Sequence, residues 1–182
     1  MEFASLFTQL KNNLKSFAIL KVAIDRNSPQ YDELKNIYKN HIETHNTSIM
    51  NDPFPNSGFD LFVPKKTNVL GMNSTMVSMD VKCEMIDNSG ESCGYFMFPR
   101  SSLSKTSLML ANHTGIIDSG YRGNLIGAFR NLDSSNAYLI DKHVKLLQVC
   151  HPSLCPIYVV LVEENNFSVT SRGTCGFGST GL

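Results

Sequence analysis

Strict alternation of apolar and polar residues in one segment constrains the fold of this chain more than any other feature. From Val77 to Met85 every second residue is apolar. Successive side chains of a β-strand point to opposite faces of a sheet, so this period of two predicts a half-buried strand. The apolar face of a helix repeats every three to four residues instead. We therefore expect a chain built on β-sheet.

Further short apolar runs follow this segment, separated by turns rich in Gly, Pro, Asn and Ser. Many short strands with regular turns are typical of a sandwich or barrel. The runs are 95–98, 107–111, 124–130, 137–140, 144–150 and 157–163.

One segment near the N-terminus has a helical pattern. Ser28 and Pro29 precede a run of helix-forming residues, and both are typical of a helix start. The pattern predicts a helix over 29–44. It follows a first strand expected at 17–24. We predict three parts. Residues 1–50 form an N-terminal extension with the first strand and this helical insertion, residues 51–170 form a β domain, and residues 171–182 form a mobile Gly-rich arm.

Charge and hydropathy exclude several classes of protein. The 16 Lys and Arg residues equal the 16 Asp and Glu residues and form no basic run, so the phosphate-neutralising surface of a nucleic-acid binder is missing. The apolar runs are far shorter than the ~18–20 residues of a transmembrane helix. The N-terminus lacks the pattern of an export signal. We expect an intracellular protein, in the cytoplasm or nucleus and not secreted, that binds neither nucleic acid nor membrane.

The cysteines and two of the histidines are the residues that metals and disulfides would use. The five cysteines are odd in number and widely spaced, without a C-x-x-C pair, so we expect reduced and buried thiols. His41 and His45 lie four residues apart on the predicted helix and could face one metal ion. Two ligands do not make a zinc site, so we interpret them as part of a solvated helix face.

Three segments carry groups that could bind or act on an anion. The segment 100–102 offers a guanidinium and two hydroxyls, which suit a phosphate. A hairpin over 115–123 places Asp118 and Tyr121 between glycines. The C-terminal arm sets one guanidinium and one aromatic ring beside glycine amides, which suits a nucleotide. Each segment alone also fits an ordinary turn or chain end.

Taken together, five segments resemble, in order and spacing, the five motifs of the trimeric deoxyuridine triphosphatases (dUTPases). The third and fifth are the most specific. The fourth matches poorly, because His143, Val144 and Lys145 replace the Gly-Asp pair and basic residue that are usual in the family. The segments are 57–62, 99–103, 115–123, 146–148 and 172–181.

The resemblance implies an all-β jelly-roll barrel, here with an inserted N-terminal helix, assembled as a homotrimer with sites at subunit boundaries. The implied activity is that of a dUTP diphosphatase, which hydrolyses dUTP to dUMP and pyrophosphate with Mg²⁺ and so keeps uracil out of DNA. A nucleotide-binding regulatory or interaction protein that retains this fold is the alternative. A deaminase acting on dCTP is a third reading, for which the sequence offers no good match.

The resemblance also implies roles for individual residues. Asp118 would activate the water that attacks the α-phosphorus, and Tyr121 would exclude a ribose 2′-hydroxyl. Mg²⁺ would be held mainly by the triphosphate and waters, which Asp60 could touch. The implied contacts to uracil come from Asn112, Gly115, Ile116 and Ile117, and those to the phosphates come from Arg100, Ser101, Ser102 and Gln148. The arm of another subunit is implied to add the remaining contacts. Phe177 would stack on uracil, and the γ-phosphate would be bound by Arg172, Gly178, Ser179 and Thr180.

Overall fold

A computed structural model of the chain describes residues 3–176. Two α-helices lie in the N-terminal part, α1 at Phe3–Asn13 and α2 at Tyr31–Asn51. Short 3₁₀ helices lie at Ser101–Lys105 and Glu164–Asn166. The strands are β1 Ala18–Ile24, β2 Gly58–Phe62, β3 Thr67–Val69, β4 Ser74–Ser78, β5 Val81–Ile86, β6 Ser92–Cys93, β7 Tyr95–Pro99, β8 Leu108–Leu110, β9 Gly115–Ile117, β10 Ile126–Asn131, β11 Tyr138–Ile140, β12 Lys145–Cys150 and β13 Ile157–Leu161.

The strands form four small sheets with the orders β13-β1-β5-β6, β4-β10-β8, β11-β3 and β2-β12-β7-β9. Pairing is antiparallel throughout except between β1 and β13, which run parallel. Val22, Phe59, Val69 and Phe129 come one from each sheet, are fully buried and belong to one apolar cluster. The sheets therefore enclose a single core, and the predicted jelly-roll fold is confirmed.

The alternating segment is two strands and not the single strand that its pattern predicted. The chain turns between β4 and β5 at Asp80, whose φ of 52° lies in the left-handed region that Asp tolerates better than most residues. The Asp80 carboxylate accepts hydrogen bonds from Ser78 Oγ at 2.7 Å and Ser28 Oγ at 2.8 Å. Since Val77 and Val81 on either side of the turn are both buried, the alternation continues through it and conceals the break.

The predicted helix exists as α2 but is longer than expected, running to Asn51 and not to residue 44. Ser28 lies before its start, where its hydroxyl accepts a hydrogen bond from Gln30 N at 3.2 Å. The extra turns are held by contacts with strand β13. Asn46 donates to Val159 O at 2.8 Å and accepts from Val159 N at 2.9 Å, as a neighbouring strand would. These tertiary contacts outweigh the weak helix propensity of the His-Asn-Thr-Ser sequence.

Helix α1 was not predicted. Its apolar residues Leu6 and Leu10 are buried and pack on Phe17, Ile19 and Ile86, in a cluster separate from the main core. The residues of β1 and β5 in this cluster point away from the main core. The helix thus covers the outer face of the sheet that contains β1, and its spacing of four residues is a signal available in the sequence.

None of the helices in residues 3–176 is long and apolar enough to cross a membrane. All five cysteines are free in the structure, and the expectation of reduced thiols stays a prediction. Cys83, Cys150 and Cys155 are buried as predicted, whereas Cys93 is only partly buried and Cys175 is exposed. Cys175 lies in the described part of the C-terminal arm, residues 171–176, which contains no strand.

Candidate active site

The segment 115–123 was predicted as a tight hairpin but is not a β-hairpin, because β9 pairs with β7 whereas the next strand, β10, pairs with β4 and β8 in another sheet. It contains a turn in which Tyr121 N donates to Asp118 O at 3.0 Å, and we refer to this turn segment as the Asp118 hairpin. The segment lines a cavity of about 210 Å³. Strand β9 supplies Gly115, Ile116 and Ile117 to its wall, and Asn112 lies before that strand in the same wall. Gly115 faces Met97 of β7 so closely that a Cβ at this position would lie 3.2 Å from the Met97 Cβ. The glycine therefore lets β9 and β7 approach, which differs from the role in a tight turn that the sequence predicted for it.

Asp118 follows β9 directly and lines the same cavity. Its side chain is 52% exposed, so one carboxylate oxygen can meet solvent while the hairpin fixes its backbone. Oδ2 lies 2.5 Å from Nη1 of Arg172, which is another lining residue. The structure therefore brings the predicted base and the predicted γ-phosphate ligand together.

Tyr121 also lines this cavity, with its side chain half-buried. Its hydroxyl donates a hydrogen bond to Asn124 O at 2.9 Å, which fixes the ring plane. Burial raises the pKa of this hydroxyl, although the charge of Arg172 acts in the opposite direction. The phenol is therefore a neutral wall of the cavity.

The first residues of the C-terminal arm pack on the hairpin of their own chain. Arg122 N donates to Gly173 O at 2.7 Å, and Thr170 Oγ donates to Gly120 O. Within this chain, Arg172 is held on its own Asp118 in this way. The supply of Arg172 from the arm of another subunit, which the resemblance implied, stays a prediction. The arm residues Phe177, Gly178, Ser179 and Thr180 lie outside the described residues, so their roles stay predictions.

The residues predicted to grip phosphates lie in a second, larger cavity of about 940 Å³. Three charged side chains meet in it. Arg100 Nε lies 2.7 Å and Lys145 Nζ 3.1 Å from the two carboxylate oxygens of Asp60. Two cations share one carboxylate, so this wall has a positive excess that suits an anion. Lys145 was not predicted as a site residue, since its motif matched poorly.

The polar residues beside this cluster are only partly those predicted. Ser101 begins the 3₁₀ helix after β7 and lines the larger cavity, whereas Ser102 follows it without lining this cavity. Gln148 on β12 also lines the cavity, where its Nε2 donates to Pro99 O at 3.3 Å. Arg100 donates to Lys145 O at 3.0 Å in the same region. Hydrogen bonds of the chain itself thus hold Arg100 and Gln148 in place.

Helix α2 closes one side of the larger cavity with His41 and His45, which sequence reasoning placed on a solvated face. That interpretation is wrong, because both rings pack on Phe59, with centroids 4.8 and 5.1 Å away. Burial, together with the charge of Lys145, lowers the pKa of His41 to about 4. His45 Nε2 donates a hydrogen bond to Ile157 O at 2.8 Å. Both imidazoles therefore act as neutral wall residues.

The two cavities have no lining residue in common. Asp118, Tyr121 and Arg172 belong to the smaller cavity, and Arg100 and Gln148 belong to the larger one. One chain therefore does not unite all the residues that the motifs predicted to act on one substrate.

The larger cavity also contains the residue predicted to touch a metal. No cluster of three or more His, Cys, Asp or Glu that could hold a metal ion occurs in residues 3–176. Asp60 is an oxygen donor beside two cations, and Mg²⁺ is commonly held by one or two carboxylates, waters and substrate phosphates. This donor set fits an ion that arrives with a polyphosphate, with Asp60 reaching it through water.

Comparisons with known proteins agree on one family. The family model described as dUTPase matches residues 46–181. A deoxyuridine 5′-triphosphate nucleotidohydrolase of Gloeothece citriformis is 32% identical over 128 residues, covering 69% of this chain and 83% of the relative. One from Clostridioides difficile is 41% identical over 86 residues, covering 46% and 57%. The crystal structure of dUTPase from Streptococcus mutans is similar at a TM-score of 0.46 and 22% identity, covering 52% of this chain and 75% of that one.

Proposed function

The chain belongs to the dUTPase family, and on this premise we propose that its site hydrolyses dUTP to dUMP and pyrophosphate. The observation that supports this function most directly is the smaller cavity, where a carboxylate, a phenol and a guanidinium converge. Asp118, Tyr121 and Arg172 are the groups that base activation, sugar selection and phosphate binding need.

Asp118 is the group proposed to act on water. Its half-exposed carboxylate can accept a proton from a water molecule while the hairpin holds it in place. The water oxygen then forms a bond to the α-phosphorus, and the bond from that phosphorus to the bridging oxygen of the β-phosphate breaks. Pyrophosphate leaves with the electron pair of that bond. Arg172, now paired with Asp118, would turn to the departing phosphates when substrate arrives.

Base and sugar selection follow from the walls of the smaller cavity. Among residues 3–176, strand β9 is the edge of its sheet, so one side of its backbone has no partner strand there and can hydrogen-bond to the edge of uracil. Asn112 adds a side-chain amide beside it. The fixed ring of Tyr121 would pack against the deoxyribose, where a 2′-hydroxyl would have to be accommodated. The site would therefore prefer dUTP over UTP.

The separation of the two cavities supports a site shared between copies of the chain. In a homotrimer, the larger cavity of one subunit, with Arg100, Ser101 and Gln148, would face the smaller cavity of the next. The phosphates would then lie between the two surfaces, and the residues of the arm from Phe177 onward would complete the site. Ser102 would support the 3₁₀ helix that presents Ser101.

Two further aspects belong to this proposal. Mg²⁺ would be held by the triphosphate and waters, with Asp60 as the water-bound carboxylate, and it would neutralise charge on the phosphates. The protein would act inside the cell, where free thiols such as the five cysteines of this chain persist.

The proposal is tested by incubating the purified chain with dUTP, dCTP, dTTP or UTP and Mg²⁺, and measuring pyrophosphate and ammonia. We expect pyrophosphate from dUTP alone. Asp118→Asn keeps the shape of the side chain and should lower turnover by roughly 10²- to 10⁴-fold. Tyr121→Ala should narrow the ratio of kcat/KM between dUTP and UTP. Binding of dUTP without turnover would instead support a regulatory protein, and ammonia from dCTP would indicate a deaminase.

A further inference from the structure

Two charged side chains are buried among the residues that the structure describes, and neither belongs to the site above. Glu84 on β5 is 1% exposed and Arg122, four residues after Asp118, is 9% exposed. Arg122 Nη2 lies 2.9 Å from Glu84 Oε1. A buried ion pair contributes little to stability on balance, because desolvation offsets most of its attraction. Stability therefore does not explain why this ion pair is buried.

The Arg122 guanidinium donates five hydrogen bonds, as many as its N–H groups allow. Nη1 donates to two carbonyls of the catalytic hairpin, Ser119 O at 2.7 Å and Tyr121 O at 2.9 Å. Nε and Nη2 donate to Ser168, to its carbonyl at 3.2 Å and to its hydroxyl at 2.7 Å. One side chain thus joins the hairpin to the segment that leads into the C-terminal arm.

Glu84 holds this guanidinium and the same arm segment. Its carboxylate accepts hydrogen bonds from Ser92 Oγ at 2.9 Å, from Lys21 Nζ at 3.1 Å and from Ser168 N at 3.3 Å, besides the Ser168 hydroxyl. Burial opposes its charge, but the hydrogen bonds from Ser168, Lys21 and Ser92 and the charge of Lys21 lower its pKa to about 2. Every oxygen of the group therefore faces donors, and an uncharged amide could not satisfy them.

The two ends of this network lie beside the reacting groups. Arg122 N also donates to Gly173 O at 2.7 Å, and the preceding residue, Arg172, forms the ion pair with Asp118. The network therefore sets where Asp118 lies relative to residues 168–173 of the same chain. A shift of about 1 Å in such groups can reduce a rate about 100-fold.

We propose that Glu84 and Arg122 are positioning residues for hydrolysis, which hold the Asp118 hairpin against residues 168–173, the root of the arm. The expected effect on kcat rests on the proposed function, since it assumes that the site hydrolyses dUTP. The structural consequence, that the hairpin and the arm root are held as one unit, does not depend on which substrate the site takes.

The kinetic test compares Arg122→Lys with Arg26→Lys. Lysine keeps the charge opposite Glu84 but has three donors in place of five, so the two hairpin carbonyls lose their partner. We expect kcat for dUTP to fall about 10- to 100-fold with a smaller change in KM. Arg26 is a matched control, because it forms an exposed ion pair with Glu163, five residues before Ser168. Its conversion to Lys should leave kcat unchanged.

The structural test is amide hydrogen exchange on the same variants and on Ser168→Ala, a smaller change that removes the hydroxyl shared by Glu84 and Arg122. We expect residues 118–123 and 168–173 to exchange faster together in Arg122→Lys and Ser168→Ala, while the strands of the core keep their protection. If Arg122→Lys fails to fold, Ser168→Ala carries both measurements, with an expected kcat loss of about 3- to 10-fold.

The double variant Glu84→Gln/Arg122→Met separates positioning from stability, because it removes both members of the buried pair together. Lys21, the other cation on Glu84, is 17% exposed and keeps access to solvent. We expect it to recover melting temperature relative to Glu84→Gln but not kcat. Recovery of both, or independent exchange of the two segments, would overturn the proposal. If the wild-type chain released no pyrophosphate from dUTP, the proposed function would fail, whereas joint exchange of the two segments would still support the network.

Discussion

Replacing Gly123 with Ala tests whether the position of the Tyr121 ring determines sugar choice. A Cβ at residue 123 would lie 2.6 Å from Tyr121 Cζ and 2.9 Å from Cε2, and it would also overlap the hydroxyl oxygen. Carbon atoms in contact are normally about 3.5–4.0 Å apart, so the ring has to move by about 1 Å. That movement breaks the hydrogen bond from the Tyr121 hydroxyl to Asn124 O.

Two measurable effects follow from this displacement. Overpacking of this kind costs about 1–3 kcal/mol, so the melting temperature should fall while the protein stays folded. A displaced wall no longer matches deoxyribose, so kcat/KM for dUTP should fall by about 10- to 100-fold. UTP should lose less, because its poor fit does not depend on the same contact. The ratio of the two kcat/KM values therefore narrows.

The matched control is Gly120→Ala in the same hairpin. A Cβ there would have its nearest neighbour, Arg172 Cβ, at 3.6 Å, which is ordinary contact. This variant should retain wild-type kinetics and melting temperature within error. The assay is steady-state release of pyrophosphate from dUTP and UTP for all three proteins. An unchanged dUTP/UTP ratio in Gly123→Ala, measured on folded protein, would refute the role of the ring in sugar selection.

Two other perturbations test the assembly and the histidine wall. A chain truncated before Ser171 and an Asp118→Asn chain should each be nearly inactive, but co-expression should restore activity in mixed trimers if the arm completes a neighbour's site; isolated mixed trimers as inactive as either parent would contradict this arrangement. The pKa of His41 is lowered from 6.5 to about 4 in the folded state. The unfolded chain therefore binds the extra proton first, and stability should fall as pH falls through this window. His41→Phe keeps the stacking on Phe59 but has no group that titrates. The free energy of unfolding, measured in urea, should therefore fall between pH 7 and pH 4 by roughly 1 to 3 kcal/mol less in this variant than in the wild type. An equal fall in the two proteins would show that another group titrates.

Local patterns predicted most of the secondary structure, and their failures have physical causes. The break at Asp80 was missed because every second residue is buried on both sides of the turn, so the alternation is not interrupted there. Helix α2 was predicted too short because Asn46 is held by the edge of β13, which lies far away in sequence. In both cases the decisive contacts join segments that no short sequence window contains.

The candidate site divides in the same way. Asp118 and Tyr121 lie within one turn, and their spacing from each other and from the flanking glycines is a local property that the sequence shows directly. The larger cavity combines Asp60, Arg100 and Lys145 from three separate segments, so Lys145 was not recognised as part of it. Its separation from the hairpin is visible only when the chain is folded.

The sequence by itself determined which chemical groups this protein carries in the Asp118 hairpin, the arm and the phosphate-binding segments, because a turn and its side chains depend on neighbouring residues. Only the tertiary structure decided that Glu84 meets Arg122, that Arg172 lies on Asp118 and that two histidines are half-buried. The physical reason is that the energy of a charged or titratable group depends on desolvation and on partners brought from distant segments. Those are properties of the folded chain, and the periodicity of the sequence does not predict them.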